Sequence, residues 1–168
     1  MTVNPARADV RDLAERLVDA TRDDDVDSLA TLLASLVGRH APRTELYEPV
    51  LAEFVAAVVR SLRQRVGDEG VNDANDTDGA DSAERVFTVD LVDAEDNPAA
   101  VDEIDPALRA VLRAVLAQLN DDVADARFQL SLVGADPEPL SRLDALWHVL
   151  LWSMVLEGPP GGARPDLG

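Results

Sequence analysis

Apolar residues recur along the first part of the chain at the three- and four-residue spacing of amphipathic helices. A first helix is predicted from about 5 to 21, and a second follows the acidic turn at 23–25 and ends at Gly38. A third, from about 44 to 66, has a broader apolar face, which implies contacts with more than one neighbour. Its apolar positions are Leu46, Tyr47, Val50, Leu51, Phe54, Val55, Val58 and Leu62.

The C-terminal part of the chain shows the same spacing. Asp105 followed by Pro106 is typical of an N-cap and first residue, and predicts a helix that runs to about 120. The last predicted helix, about 139–157, contains an apolar run from 145 to 156 that only His148 and Ser153 interrupt. A bilayer span needs about 20 apolar residues, so this run predicts a buried central helix and no membrane segment.

Two short motifs recur and indicate an internal repeat. Asp-Asp-Val at 24–26 returns at 121–123, 97 positions later (121 − 24), and Ser-Leu-Val-Gly at 35–38 returns at 131–134, 96 positions later (131 − 35). The prediction is two three-helix units, 10–66 and 107–157, each a helical hairpin followed by a longer helix. Chance similarity between amphipathic helices is the alternative. Because 127–133 fits either a strand or a helix, we use the repeat to assign 122–133 as helical.

Three segments depart from the helical pattern. Residues 67–84 are rich in Gly, Asp, Asn and Ala and predict a flexible acidic loop, while 159–168, rich in Gly and Pro, predicts a disordered tail. Around 86–92 the apolar residues alternate, which predicts one short strand without an evident partner in the chain. The sequence therefore predicts a single, mainly helical domain over 1–158, a bundle of about six helices with one strand.

Charge changes this picture in one respect, the conditions under which the fold is stable. The chain has 33 acidic and 15 basic residues, a net charge of −18, and all of its basic side chains are Arg. Such a chain repels itself until salt shortens the Debye length from about 10 Å at 0.1 M to about 3 Å at 1 M. We therefore expect a halophilic, cytoplasmic protein that salt stabilises and that does not bind nucleic acid.

The sequence offers little for metal or cofactor chemistry. There is no cysteine, so disulfides and thiolate metal sites are excluded. The stretch 74–79 resembles a calcium loop superficially, but Ala74 stands at the first ligand position and Arg85 at the twelfth. No Glu-x-x-His motif for a helical di-iron site occurs. We therefore expect no catalytic residue, no cofactor and no metal.

Two groups of residues are candidates for a site. His148 follows Asp144 by four positions, and this pair is either the polar part of a pocket or a histidine with an ordinary hydrogen bond at a helix interface. The second group would belong either to an interface with another chain or to the chain's own core. Its members are Phe87, Val89 and Leu91 on the predicted strand and Trp147 and Trp152 on the last helix.

These features favour a non-catalytic protein–protein interaction or assembly module as the function. The unpartnered strand and the strongly apolar last helix predict self-association as a homodimer, alongside an unidentified protein partner. The alternative is a small-molecule-binding or enzymatic helical domain with a pocket near His148, between the two long helices.

Overall fold

A computed structural model describes residues 5–72, 87 and 104–158, and it confirms the predicted helical bundle. The six α-helices of the described residues are α1 (Pro5–Arg22), α2 (Val26–Val37), α3 (Tyr47–Asn72), α4 (Pro106–Leu119), α5 (Val123–Gly134) and α6 (Pro139–Glu157). A short 3-10 turn, Thr44–Leu46, leads into α3. Within the described ranges, none of the helices combines the length and apolar character that a bilayer span requires.

The helix boundaries differ from the sequence prediction at one place. α3 continues to Asn72, six residues into the range predicted as a flexible loop. Glycine inside a helix costs only about 1 kcal/mol relative to alanine, so Gly67 and Gly70 do not end α3. The segment 127–133 lies within α5 and is helical. The remaining predicted loop at 73–84 and the tail at 159–168 lie outside the described residues.

Of the predicted strand at 86–92, Phe87 alone is described, and it has no regular secondary structure. Its backbone N–H donates to Asn120 Oδ1 at 2.9 Å, and Asn120 Nδ2 donates to the Phe87 carbonyl at 3.3 Å. A side-chain amide at the end of α4 therefore occupies both backbone groups that a neighbouring strand would use. Val89 and Leu91 lie outside the described residues.

The two helical hairpins share one turn geometry. Asp24 between α1 and α2 has φ 58°, and Asp121 between α4 and α5 has φ 62°. Aspartate tolerates this left-handed conformation better than most residues. The next residue in each turn caps the following helix, since the Asp25 side chain accepts from the Ser28 N–H and the Asp122 side chain accepts from the Asp125 N–H.

The long helices α3 and α6 pack against each other at the centre of the bundle. We refer to α1–α3 and α4–α6 as the two halves of the bundle. The middle helix of each half also contacts the long helix of the other half, since α2 packs on α6 and α5 packs on α3. The core consists of aliphatic side chains with Tyr47 and Phe54 as its aromatic members. These two cross-contacts correspond to each other, while the origin of the halves by duplication stays a prediction.

Burial shows how the two long helices correspond. Leu51 is fully buried, and so is Leu146, 95 positions later (146 − 51), whereas Trp147, 96 positions later, is partly exposed. Tyr47 and Arg142 are also 95 positions apart (142 − 47), and both are buried. In α2 and α5 the buried positions correspond at an offset of 97 residues, as Leu36 and Val133 do (133 − 36).

Candidate functional site

An apolar groove with a volume of about 680 Å³ opens between α2 and α6. It ends at the start of α4. Its lining residues are Val26, Leu29, Ala30 and Leu33 of α2, Leu140, Ser141, Leu143, Asp144 and Trp147 of α6, and Asp105 before α4. The groove is open to solvent, since Val26 is 69% and Leu140 75% exposed.

The groove exists because α2 has more apolar residues than its neighbours cover. Leu32, Leu36 and Val37 are buried in the core. Leu29 and Leu33, on the adjacent side of the same helix, are only partly buried. Residues four apart stack along one helix face, so this second row forms one wall of the groove. On α6, Leu143 and Trp147 have the same spacing and form the other wall.

The glycines at the ends of α2 and α5 differ in how closely the neighbouring helix approaches them. A Cβ on Gly134, at the end of α5, would lie 3.1 Å from Glu48 Oε2 on α3, so these two helices touch there. A Cβ on Gly38, after α2, would meet only Ala41 of the same loop. The contact that closes α5 onto α3 therefore has no equivalent between Gly38 and α6.

Two carboxylates lie in the groove lining, and none of the ten lining residues is basic. Asp105 Oδ1 accepts from the Ala107 N–H at 2.9 Å and caps α4, while Oδ2 accepts from the Ser141 hydroxyl at 3.5 Å. Asp105 thus connects the start of α4 to α6. Asp144 is exposed and adds a second negative charge to the groove.

The predicted pair of Asp144 and His148 lies together on α6, but only one of the two residues lines the groove. Asp144 lines the groove, but His148 does not, and the groove does not lie between α3 and α6. His148 Nδ1 lies 2.8 Å from the Asp144 backbone carbonyl oxygen and 3.4 Å from Asp144 Oδ1. Because a carbonyl oxygen only accepts, Nδ1 is the donor, which is the ordinary hydrogen bond of a helical histidine.

The predicted interface residues that the structure describes, Phe87, Trp147 and Trp152, have different surroundings. Trp147 lies in the groove, whereas the Trp152 ring meets His148 edge-on with the ring centres 6.1 Å apart. Phe87 is partly buried against the chain's own core. Sequence reasoning missed Leu29, Leu33 and Leu140 as site residues. The sequence feature that could have indicated the groove is that the apolar residues of α2 lie on more than one face of the helix.

A buried cation lies at the contact between the halves. Arg142 is 5% exposed, its guanidinium carbon stands 4.3 Å from the centre of the Tyr47 ring, and its Nη2 donates to Thr44 Oγ1. Arg142 forms no ion pair with the residues that the structure describes, and its Nε has no hydrogen-bond partner there. The face of Tyr47 and the Thr44 hydroxyl are therefore the contacts that stabilise this charge among the described residues.

Tyr47 is held in turn by α6. Its hydroxyl donates to the Arg142 backbone carbonyl at 2.7 Å. Burial raises the pKa of Tyr47 well above its ordinary value; the Arg142 charge opposes this rise and the Asp136 charge adds to it. The phenol thus stays protonated and keeps its hydrogen bond to α6.

An exposed apolar row lies on the outer side of α5. We name it the α5 stripe, and it consists of Ala124, Phe128 and Leu132 of α5 and of Ala135, the residue that follows the helix. Phe128 is 57% and Leu132 48% exposed. The opposite side of α5 is buried through Ala126, Gln129, Leu130 and Val133. α5 is therefore apolar on both sides while the described chain covers one.

Within 5–72 and 104–158, no group of three or more His, Asp or Glu side chains could hold a metal ion. No protein-family model, curated protein or solved structure matches this chain. The groove and the α5 stripe are therefore the two surfaces from which we infer a function.

Proposed function

We propose that the protein is a non-catalytic interaction module whose α2–α6 groove binds an amphipathic helix with basic residues beside its apolar face. The observation that supports this most is the groove itself, an open apolar channel with Trp147 in one wall and two carboxylates in its lining. Helix-in-groove binding uses such a surface, because apolar anchors one turn apart enter the channel while charges at the edge orient the partner.

The openness of the groove favours a helix over the small-molecule alternative. Small-molecule sites enclose most of the ligand in cavities of about 300–1,000 Å³, and the groove volume of about 680 Å³ lies in that range. Val26 and Leu140, however, stand mostly in solvent at its edges. A helix would cover these edge residues, whereas a small ligand would leave them exposed.

We further propose that the protein works in a cytoplasm at molar salt. The support is its composition, with a net charge of −18 and Arg as the only basic residue type. At high ionic strength the apolar part of the groove is the main source of affinity, and the carboxylates contribute mainly to orientation.

The test uses a synthetic amphipathic peptide of about 18 residues, roughly 27 Å long as a helix, with Leu on one face and Lys beside it. A second peptide of identical composition distributes the Leu residues evenly. Binding is followed through the fluorescence of Trp147 in a Trp152→Phe background. We expect the amphipathic peptide alone to bind and to shift the Trp147 emission, because only it presents an apolar row to the groove.

Ala30→Glu places a charged side chain in the groove lining, and we expect it to weaken peptide binding at least about tenfold, or 1.4 kcal/mol. Ala34→Glu is the matched control, since Ala34 is an exposed alanine of the same helix outside the lining. Equal binding of the two peptides, or undiminished binding to Ala30→Glu, would mean that the acidic surface merely attracts a basic peptide. Circular dichroism of both variants verifies that α2 is intact.

A further inference from the structure

The α5 stripe has the properties of a groove ligand. Phe128 and Leu132 are four positions apart, so their side chains project from adjacent turns of one helix face, about 6 Å apart along the axis. Ala124 and Ala135 extend the same face with small side chains. Two large apolar side chains one turn apart are the anchors that helix-in-groove binding requires.

Charges of both signs lie beside the α5 stripe, and its two exposed arginines are opposite in sign to the carboxylates of the groove. Arg127 precedes Phe128 and is exposed, and Arg113 of α4 is exposed and lines a cleft together with Leu132. The Asp125 carboxylate accepts from Gln129 Nε2, and Asp136 lines the far end of the cleft. Two exposed arginines therefore flank the apolar anchors, while Asp105 and Asp144 line the groove.

The groove and the α5 stripe share no residue, so one chain can present both at once. Their sizes also correspond. The lining of the groove on α6, from Leu140 to Trp147, covers about two turns of helix, and the two anchors with their flanking alanines, from Ala124 to Ala135, cover about three.

We propose that the helix bound by the groove is α5 of a second copy of this chain, with Phe128 and Leu132 in the groove and Arg127 near its carboxylates. This inference rests on the proposed function and names its partner. A groove facing a second groove would instead bring the carboxylates of two copies together, which like-charge repulsion opposes. If the α5 stripe of each copy binds in the groove of the other, the assembly closes as a two-fold dimer. If each copy instead binds a further copy, the assembly continues as a chain.

The contact has a defined dependence on salt. Each copy has a net charge of −18, so long-range repulsion opposes association at low ionic strength. Screening removes this repulsion and also weakens the attraction between Arg127 and the groove, while the apolar contact remains. Association should therefore be stronger in 2 M KCl than in 0.1 M KCl.

The experiment compares two variants that each remove one side of the contact. Ala30→Glu alters the groove and keeps the α5 stripe, whereas Phe128→Glu alters the stripe and keeps the groove. Masses are measured by light scattering in 2 M KCl at about 100 μM chain. We expect the wild type to be dimeric or larger, each variant alone to be monomeric at 18.0 kDa, and their equimolar mixture to recover dimers because one intact groove meets one intact stripe.

Val155→Glu is the control, because Val155 is an exposed apolar residue of α6 outside both surfaces and its substitution should leave the mass unchanged. A monomeric wild type, variants that associate like the wild type, or a mixture that stays monomeric would each overturn the inference.

Phe128→Glu leaves the groove intact, so it should still bind the Lys-flanked peptide. Peptide binding without self-association would refute only the identity of the partner, whereas loss of both would refute the proposed function as well.

Discussion

Tyr47 and Arg142 join the two halves of the chain by three interactions of different kinds. The guanidinium stacks on the phenol ring, the phenol donates to the Arg142 carbonyl, and Nη2 donates to Thr44 Oγ1. A buried guanidinium without a carboxylate is costly, so these contacts need to be retained together. The sequence showed that both residues lie on helices, but not that they meet.

This contact predicts a simple dependence of stability on alkaline pH. The chain contains one Tyr and neither Lys nor Cys, so Tyr47 is the side chain whose ordinary pKa, about 10 in the unfolded chain, lies in the alkaline range. Its pKa is raised in the folded protein, so its contribution to stability is complete below pH 10 and is lost as pH rises further. The free energy of unfolding should fall by up to about 1.4 kcal/mol per pH unit above pH 10.

Urea unfolding at pH 8 to 12 measures this slope. Tyr47→Phe removes the titrating group and should flatten the slope, although it also lowers stability at neutral pH because the Arg142 carbonyl loses its donor. An equal slope in Tyr47→Phe would assign the alkaline effect to another group.

At the scale of elements, sequence periodicity predicted the six helices and the repeated acidic turns. It located apolar residues but could not show how many neighbouring helices cover each of them. For that reason the sequence could not show that Leu29 and Leu33 form a wall of the groove, or that Phe128 belongs to the exposed α5 stripe. The groove joins residues from opposite ends of the chain, whereas the pair of Asp144 and His148 was recognisable because its spacing is local.

The left-handed turn residues give a prediction at this scale. Asp24→Val should lower the free energy of unfolding by about 1–2 kcal/mol, because a β-branched residue is strained at positive φ. Asp24→Gly should stay within about 0.5 kcal/mol of the wild type, since relief of strain offsets the greater entropy of the unfolded chain. Denaturant unfolding distinguishes them, and equal stabilities would show that the turn relaxes to another conformation.

Asp121 provides the comparison for this turn. It has the same positive φ, but its Oδ1 also lies 2.8 Å from Arg63 Nη2. Asp121→Gly should therefore destabilise slightly more than Asp24→Gly, by up to about 1 kcal/mol, the usual limit for an exposed ion pair.

For the whole molecule, charge determines how stability depends on salt. With a net charge of −18, the folded chain repels itself in dilute buffer, and screening by salt relieves this repulsion. Folding into the helical bundle brings these charges close together. This expectation rests on composition alone, because it depends on the number and sign of the charges more than on their positions.

Raising KCl from 0.1 M to 2 M should increase the melting temperature by about 5 °C or more, equivalent to roughly 1–2 kcal/mol for a domain of this size. Differential scanning calorimetry measures the change. A variant with Asp27→Asn, Glu45→Gln and Glu53→Gln has three fewer charges and should show a smaller increase. Melting temperatures that do not depend on salt in either protein would contradict the electrostatic explanation.

The packing of α3 on α6 also bears on how fast the chain folds. Each helical hairpin forms from residues close in sequence, on the microsecond scale of local structure. The hydrogen bond from Tyr47 to Arg142 joins positions 95 residues apart, so the halves meet only after a long loop has closed. Docking of the two halves is then the slow step, and substitutions at the α3–α6 contact should change the folding rate more than those within either hairpin.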